Sequence, residues 1–254
     1  MVIVTGFTLD IGFIGYSKEN TRIRYFIMNK KLHKQLLGVS SWYTTLADYT
    51  FPTTFVKLKE SDLDLLANKV TFGEQVGSLI TRIQKAQSAF SGSTFVFTDT
   101  VSPNDTPRFT SKKGAVHSAQ SAWNNLTNSE KVRNAAKNRE FECICVRPFR
   151  NMTYPREFRL FIYEGELKLM SQYWLNRAYH RLELKRDTYW TKAKAMVEEI
   201  SWLLPSENIV LDIYFTSRDD ILLLDFNSWG QPTKPLLAKS WDIDWNNESG
   251  IKIL

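Results

Sequence analysis

NIVLDIYFTSRDDILLLDFN, residues 208–227, sets two β-rich runs, 208–215 and 220–227, on either side of the polar turn TSRD. That pattern predicts antiparallel strands joined by a short loop. A turn centred between Arg218 and Asp219 brings Asp212 directly opposite Asp225. Side chains opposed on one face have Cβ atoms only about 4.5–5.5 Å apart, and like charges there are destabilising. Alternation along the strand adds Asn227 to that face, and Ile209, Leu211, Ile213, Leu222 and Leu224 fill the other. Two carboxylates and an amide oxygen form a hard-oxygen site suited to Mg²⁺, which binds one or two carboxylates together with substrate phosphates. The plainer alternative is a solvated hairpin whose acids face water.

The chain has 254 residues, enough for one large domain or two packed lobes, and 43% hydrophobic with 13% aromatic residues suits a globular protein. A formal charge of +6 is moderately basic but dispersed, so nucleic-acid binding is permitted and not indicated. Cys143 and Cys145 share one face of a strand, and neither they nor His33, His117 and His180 complete a zinc pattern. Free thiols in a reducing compartment are the expectation. The start, MVIVTGFTLDIGFIGY, is broken by Asp10 and lacks a preceding basic region, so it does not read as a signal peptide. No run reaches the roughly 20 apolar residues of a membrane span. A soluble, cytoplasmic protein with no membrane partner follows.

Along the chain, residues 1–30 read as short strands and 53–58 as another strand. A helical turn opens on Ser61 or Asp62, and an amphipathic helix spans 74–90 through Val76, Leu79, Ile80, Ile83 and Phe90. Residues 98–114, TDTVSPNDTPRFTSKKG, form the most loop-like segment, a mobile or ligand-covering loop. Helices at 117–126 and 128–138 precede strands at 141–147, 157–163 and 167–173. A helix at 188–204, ended by Pro205, leads into the hairpin. The order indicates an α+β architecture with a mostly antiparallel sheet.

Arg147 and Arg159 sit within these strands, Arg159 on the same face as Glu157. Arginine on a strand needs solvent or an anion, because an unpaired buried charge is costly. A guanidinium fork matches phosphate oxygens, and the plainer alternative is a pairing with Glu157 or another acid. No G-x-x-x-x-G-K-S/T or G-x-G-x-x-G loop is present, nor does a Ser/His/Asp or Cys/His nucleophile set stand out.

Taken in order, these segments resemble the cell division cycle protein 123 family from about Trp42 to Trp241. SWYTTLADYTFPTTFVKLKESDLDLLA is similar to the family's opening, and FGEQVGSLITRIQKAQ to its next helix. GSTFVFTDTVSPNDT looks like its first nucleotide-contacting strand and loop. CVRPFRNMTYPREFRLFIYEGELKLMSQY is similar to its L-R-K-W, E-F-R-C-F and I-S-Q core. VLDIYFTSRDDILLLDFNSWGQPTKPLL is similar to its D-I-Y and I-D-F-N-P-x-G pattern. Members have an ATP-grasp fold and are implicated in assembling eukaryotic translation initiation factor 2.

The resemblance implies an ATP-grasp-like fold whose two lobes with antiparallel sheets clamp a nucleotide. Residues 1–41 are then an N-terminal extension and 42–254 the ATP-grasp-like domain, with lobes at about 42–138 and 139–254. It implies ATP and Mg²⁺ as cofactors: Arg147 and Arg159 contact the phosphates and stabilise the transferred group, and Asp212, Asp225 and Asn227 bind the metal. Ser171 and Gln172 are carried as pocket lining. In the family a lysine of the V-F-P-K-L strand reaches the phosphates; here Phe97 stands at that place, so Lys57, Lys112 or Lys113 would have to supply the charge. Eukaryotic members also continue past the last motif. This chain stops soon after Trp245 and looks closer to compact relatives in bacteria and viruses that read as ATP-dependent ligases. The expected function is therefore an ATP-grasp ligase acting on a peptide or other carboxylate acceptor. The alternatives are a non-catalytic assembly factor for a translation factor, and a degenerate scaffold.

Overall fold

The computed structural model describes residues 36–254; the strands expected within 1–30 lie outside them. Helix α1 (Val39–Leu46) precedes β1 (Thr54–Lys57), α2 (Glu60–Ala67) and α3 (Glu74–Gln87). Strand β2 (Thr94–Thr98), α4 (Pro107–Lys112), β3 (Ala115–Val116), α5 (Ala119–Asn128), α6 (Glu130–Lys137) and β4 (Cys143–Pro148) follow. A second group holds β5 (Glu157–Tyr163), β6 (Glu166–Gln172), α7 (Arg186–Ile200), β7 (Ile209–Phe215), β8 (Ile221–Ser228) and β9 (Gly250–Lys252). The expected α+β class with two antiparallel sheets is present. The first sheet runs β1-β4-β2-β3 and the second β8-β7-β5-β6-β9, with only the β6–β9 edge parallel.

Strand β4 belongs to the first sheet, so the passage from one sheet to the other falls between Pro148 and Glu157. It is not at residue 139, and Arg147 and Arg159 lie on different sheets. The composition of β4 explains this place: Ile144, Cys145 and Val146 are apolar and buried on both faces, as suits a central strand. Ile144 and Val146 pack under α2, α3, α5 and α6, with Leu66, Leu79, Ile83, Trp123 and Leu126. Cys145 turns the other way, into a core shared with the second sheet, α1 and α7.

Helix α3 buries Val76, Leu79 and Ile83 as its spacing requires. Helix α2 starts earlier than Ser61, because Asp62 caps from inside the first turn: its Oδ2 accepts the Lys59 N–H at 2.8 Å. The 98–114 segment is tied down. Asp105 accepts from Ser129 Oγ at 2.5 Å and the Lys131 N–H at 3.1 Å, and Thr106 Oγ1 donates to Asn125 at 2.7 Å. No described helix is long and apolar enough to cross a membrane.

The hairpin carries a β-bulge. Near the turn Ile213 pairs with Leu223, but Asp212 pairs with Asp225, leaving Leu224 as the extra residue. The expected inner face is corrected accordingly: Leu223 and Phe226 enter the core, not Leu222 and Leu224.

Phe215 anchors this core, stacking on Tyr189 at 3.8 Å and meeting Phe158 edge-on at 5.8 Å. Deleting a buried ring of this kind costs about 3–5 kcal/mol. Phe215→Ala should therefore lower the unfolding free energy by that amount, read as a lower urea midpoint at unchanged m-value, and a loss below about 1 kcal/mol would contradict this packing.

Candidate functional site

Alternation along β4 aims Arg147, like Cys145, at the second sheet. There the guanidinium is buried. Its Nε donates to Thr53 Oγ1 at 2.9 Å, and its Nη1 crosses to the Leu224 carbonyl at 3.2 Å. The guanidinium carbon lies 5.0 Å from the centre of the Phe97 ring, a cation–π distance. Nη2 is buried with no partner.

On the facing sheet, ladder partners set out a row: Ser171 on β6, Arg159 on β5, Asp212 on β7 and Asp225 on β8. Arg159 forks onto both oxygens of Asp212 at 2.7 and 2.8 Å, and its Nη1 donates to the Lys234 carbonyl at 2.9 Å. Asn227 Nδ2 donates to Asp212 Oδ2 at 3.0 Å. Asp212 is thus well supplied with donors, and Arg159 pairs with it rather than with Glu157. Asp225 is different: among the described residues its carboxylate accepts one hydrogen bond, from the Phe226 N–H to Oδ1 at 2.9 Å. Its Oδ2 and the Asn227 Oδ1 have no donor among the described residues. Asp225 keeps some accessible surface although protein crowds it closely.

The structure brings Arg147, Arg159, Asp212, Asp225 and Asn227 together, with Ser171 at the end of the row as the ladder partner of Arg159 and Gln172 next to it in β6. Ser171 and Gln172 are fully buried and fasten the chain: Ser171 Oγ accepts the Leu237 N–H at 3.2 Å, and Gln172 Oε1 the Leu254 N–H at 3.2 Å. Of the three lysines, Lys57 is exposed on β1 opposite Cys143, and Lys112 is exposed at the end of α4. Lys113 alone comes near the row. Its Nζ donates to Asn151 Oδ1 at 2.8 Å and the Met152 carbonyl at 3.0 Å, and its charge acts on Glu157. A cavity of about 530 Å³ lined by Lys168, Trp190, Lys194, Glu198 and Glu248 lies apart from these residues.

Sequence reasoning noted Glu157 only as a neighbour of Arg159. Glu157 is buried one alternation beyond it and accepts Trp174 Nε1 at 2.7 Å, while Tyr173 lies under the Arg159 guanidinium at 5.2 Å. The signal available was the E-x-R alternation on a strand whose other face is apolar.

Among the described residues no group of three or more His, Cys, Asp or Glu side chains is arranged to hold a metal. The available donors are two carboxylates and one amide oxygen. That set fits Mg²⁺ when phosphate oxygens complete the shell, and the unpartnered Nη2 of Arg147 fits a phosphate oxygen.

The D123 family model matches residues 108–249. The chain belongs to the D123 family. A CDC123-like protein of Acanthamoeba polyphaga mimivirus is 26% identical over 234 residues, covering 83% of this chain and 69% of that protein. A translation initiation factor eIF2 assembly protein of Xenopus tropicalis is 32% identical over 87 residues, 34% of this chain and 26% of its own length. The chain's match thus spans about a quarter of that protein. The structure of Cdc123 from Schizosaccharomyces pombe superposes with a TM-score of 0.73 at 21% identity, covering 88% of this chain and 95% of that one. This D123-family chain therefore has the Cdc123 fold.

Burial pushes Asp225 up to about 7, and the nearby Asp212 charge adds to the shift against the opposing pull of Arg147. Burial likewise pushes Glu157 up to about 7; the Trp174 hydrogen bond opposes the shift and the Asp212 charge adds to it. From the ordinary carboxylate range near 4 up to about 7, the folded chain holds protons that the unfolded chain has released. Stability therefore falls as pH rises through that window. Without ligand, the melting temperature of Asp225→Asn relative to wild type should climb between pH 5 and pH 8. A difference that stays constant over this range would sink the assignment.

Proposed function

We infer that the chain is a cytoplasmic Mg-ATP-binding protein that acts as an assembly factor for a translation factor. The observation that carries the nucleotide is the incomplete row: Asp225 Oδ2, Asn227 Oδ1 and Arg147 Nη2 lack partners beside an acid pair. Asp225, Asn227 and Asp212 would hold Mg²⁺, and Arg147 would take a phosphate oxygen. Arg159 holds Asp212 in orientation through two hydrogen bonds while offering its remaining hydrogens to phosphate. Mg²⁺ held there would supply positive charge against the phosphates. For the chain's own groups, binding means that Asp225 gives up its proton and Arg147 gains its missing acceptor. Because Arg147 and the acids sit on different sheets, a ligand gripped by both would hold the lobes together. A folded platform of that kind suits a partner-binding role, and similarity to proteins named for eIF2 assembly supports the partner class.

A ligase that activates a peptide or other carboxylate acceptor would use the same row, since phosphoryl transfer depends mainly on positioning and charge. That reading would gain support from ATP consumption appearing only with an added acceptor.

Ligand at about 100 times its dissociation constant adds about 2.7 kcal/mol, and each kcal/mol moves the midpoint of a chain this size by about 2–4 °C. Mg-ATP should raise the melting temperature by roughly 5–10 °C, ATP with EDTA much less, and Asp225→Ala should abolish the Mg-dependent part. An Asp225-dependent pull-down of a translation-factor subunit tests the partner. No shift at millimolar Mg-ATP would leave the row a structural relic and the scaffold reading in its place.

A further inference from the structure

We propose that Glu157, Tyr154 and Trp174 form a second subsite, beside the acid row, that takes a primary ammonium group. Charge count is the first reason. Glu157, Asp212 and Asp225 lie near two guanidiniums, Arg147 and Arg159, and the one further cation that acts on Glu157, Lys113, gives its hydrogen bonds to Asn151 and Met152 instead. Arg159 is committed to Asp212, and Arg147 is turned to Thr53 and Leu224; neither serves Glu157. A buried carboxylate without a cation is costly, and an arriving cation relieves that cost.

Geometry is the second reason. Glu157 is 9% exposed. Trp174 Nε1 holds Oε2 at 2.7 Å, whereas Oε1 has no donor among the described residues. Trp174 and Tyr154 pack with ring centres 4.4 Å apart at 36°, and Tyr173 meets Trp174 at 5.5 Å. Electron-rich ring faces around a carboxylate attract an organic cation, and both Tyr154 and Trp174 remain partly accessible.

The protein already places a cation at this rim. Lys113 Nζ sits 5.1 Å from the centre of the Tyr154 ring. Among the described residues its hydrogen-bond partners are Asn151 and Met152, both contacts exposed, and it stops short of an ion pair with Glu157. Lys113 thus shows that an ammonium is tolerated there and leaves Oε1 open. An incoming ammonium, from a lysine side chain or from a chain's N-terminus, would lie against Tyr154 and Trp174 and donate to Oε1, displacing Lys113. The subsite needs no nucleotide, so it stands or falls apart from the Mg-ATP reading.

The test follows the Trp174 indole N–H by ¹⁵N NMR of the full chain without nucleotide, the resonance being assigned by its loss in Trp174→Phe. Three probes are titrated: Nα-acetyl-lysine amide with a side-chain ammonium, alanine amide with an α-ammonium, and the neutral Nα-acetyl-norleucine amide. A saturable shift with one or both ammonium probes and none with norleucine is expected, and whichever probe binds tighter identifies the source. Glu157→Gln should weaken that binding at least five-fold, and Lys113→Ala should tighten it. Equal shifts with the norleucine probe, no shift with any probe, or binding indifferent to both substitutions would overturn the proposal.

Discussion

One extra residue, Leu224, sets the geometry on which the site depends. On the turn side of the bulge Ile213 faces Leu223, and a regular ladder would continue with Asp212 facing Leu224. The bulge moves the pairing by one, so Asp212 faces Asp225 and Val210 faces Asn227. The same step reverses alternation along β8. Leu223 stays in the core before the bulge, and Phe226 enters it after the bulge, stacked on Trp42 at 4.8 Å. The bulged residue itself leaves the ladder, and its carbonyl becomes the acceptor through which Arg147 reaches across from the first sheet. The acid pair, the amide beside it and the link between sheets share this one origin.

Two carboxylates facing each other across a sheet repel, and burial raises the cost of charge there. The protein divides that cost unequally. Asp212 receives a bidentate guanidinium and an amide, so its oxygens are met by donors. Asp225 receives one backbone N–H, and burial raises it to about 7. The asymmetry is what a ligand-binding row requires. One carboxylate is fixed and orients its neighbours, while the other is left under-supplied and gains most when a cation arrives.

Most of this was legible because it follows from periodicity. The 3.6-residue spacing of Val76, Leu79 and Ile83 gave helix α3, and the run FECICVR gave a strand. The acid pair was found by centring the turn between Arg218 and Asp219, which gives the correct partner only because the bulge shifts the register. The apolar face inferred from the same regular ladder, with Leu222 and Leu224 inside, was wrong for that reason. A single inserted residue leaves no periodic trace in a run of four aliphatic residues, Ile221 to Leu224. The placement of β4 was hidden differently: antiparallel pairing with β1 and β2 is a non-local choice, and adjacency to β5 in sequence pointed the other way.

Phe97 shows how such a site can be assembled without a lysine on its strand. An aromatic ring supplies no charge, but its face attracts a cation, and β2 sets Phe97 beside Arg147 on the neighbouring strand. The ring covers one face of the guanidinium and excludes water from it, with Phe95 packed behind at 5.3 Å. Thr53 and Leu224 then fix two of its nitrogens. The remaining nitrogen has no partner in a place where an unmet donor costs about 1–3 kcal/mol. A flexible lysine could turn to water and avoid that cost; a stacked and twice-anchored arginine cannot. The strain of leaving Nη2 unmet is therefore built into this arrangement, and an anionic acceptor is the group that removes it.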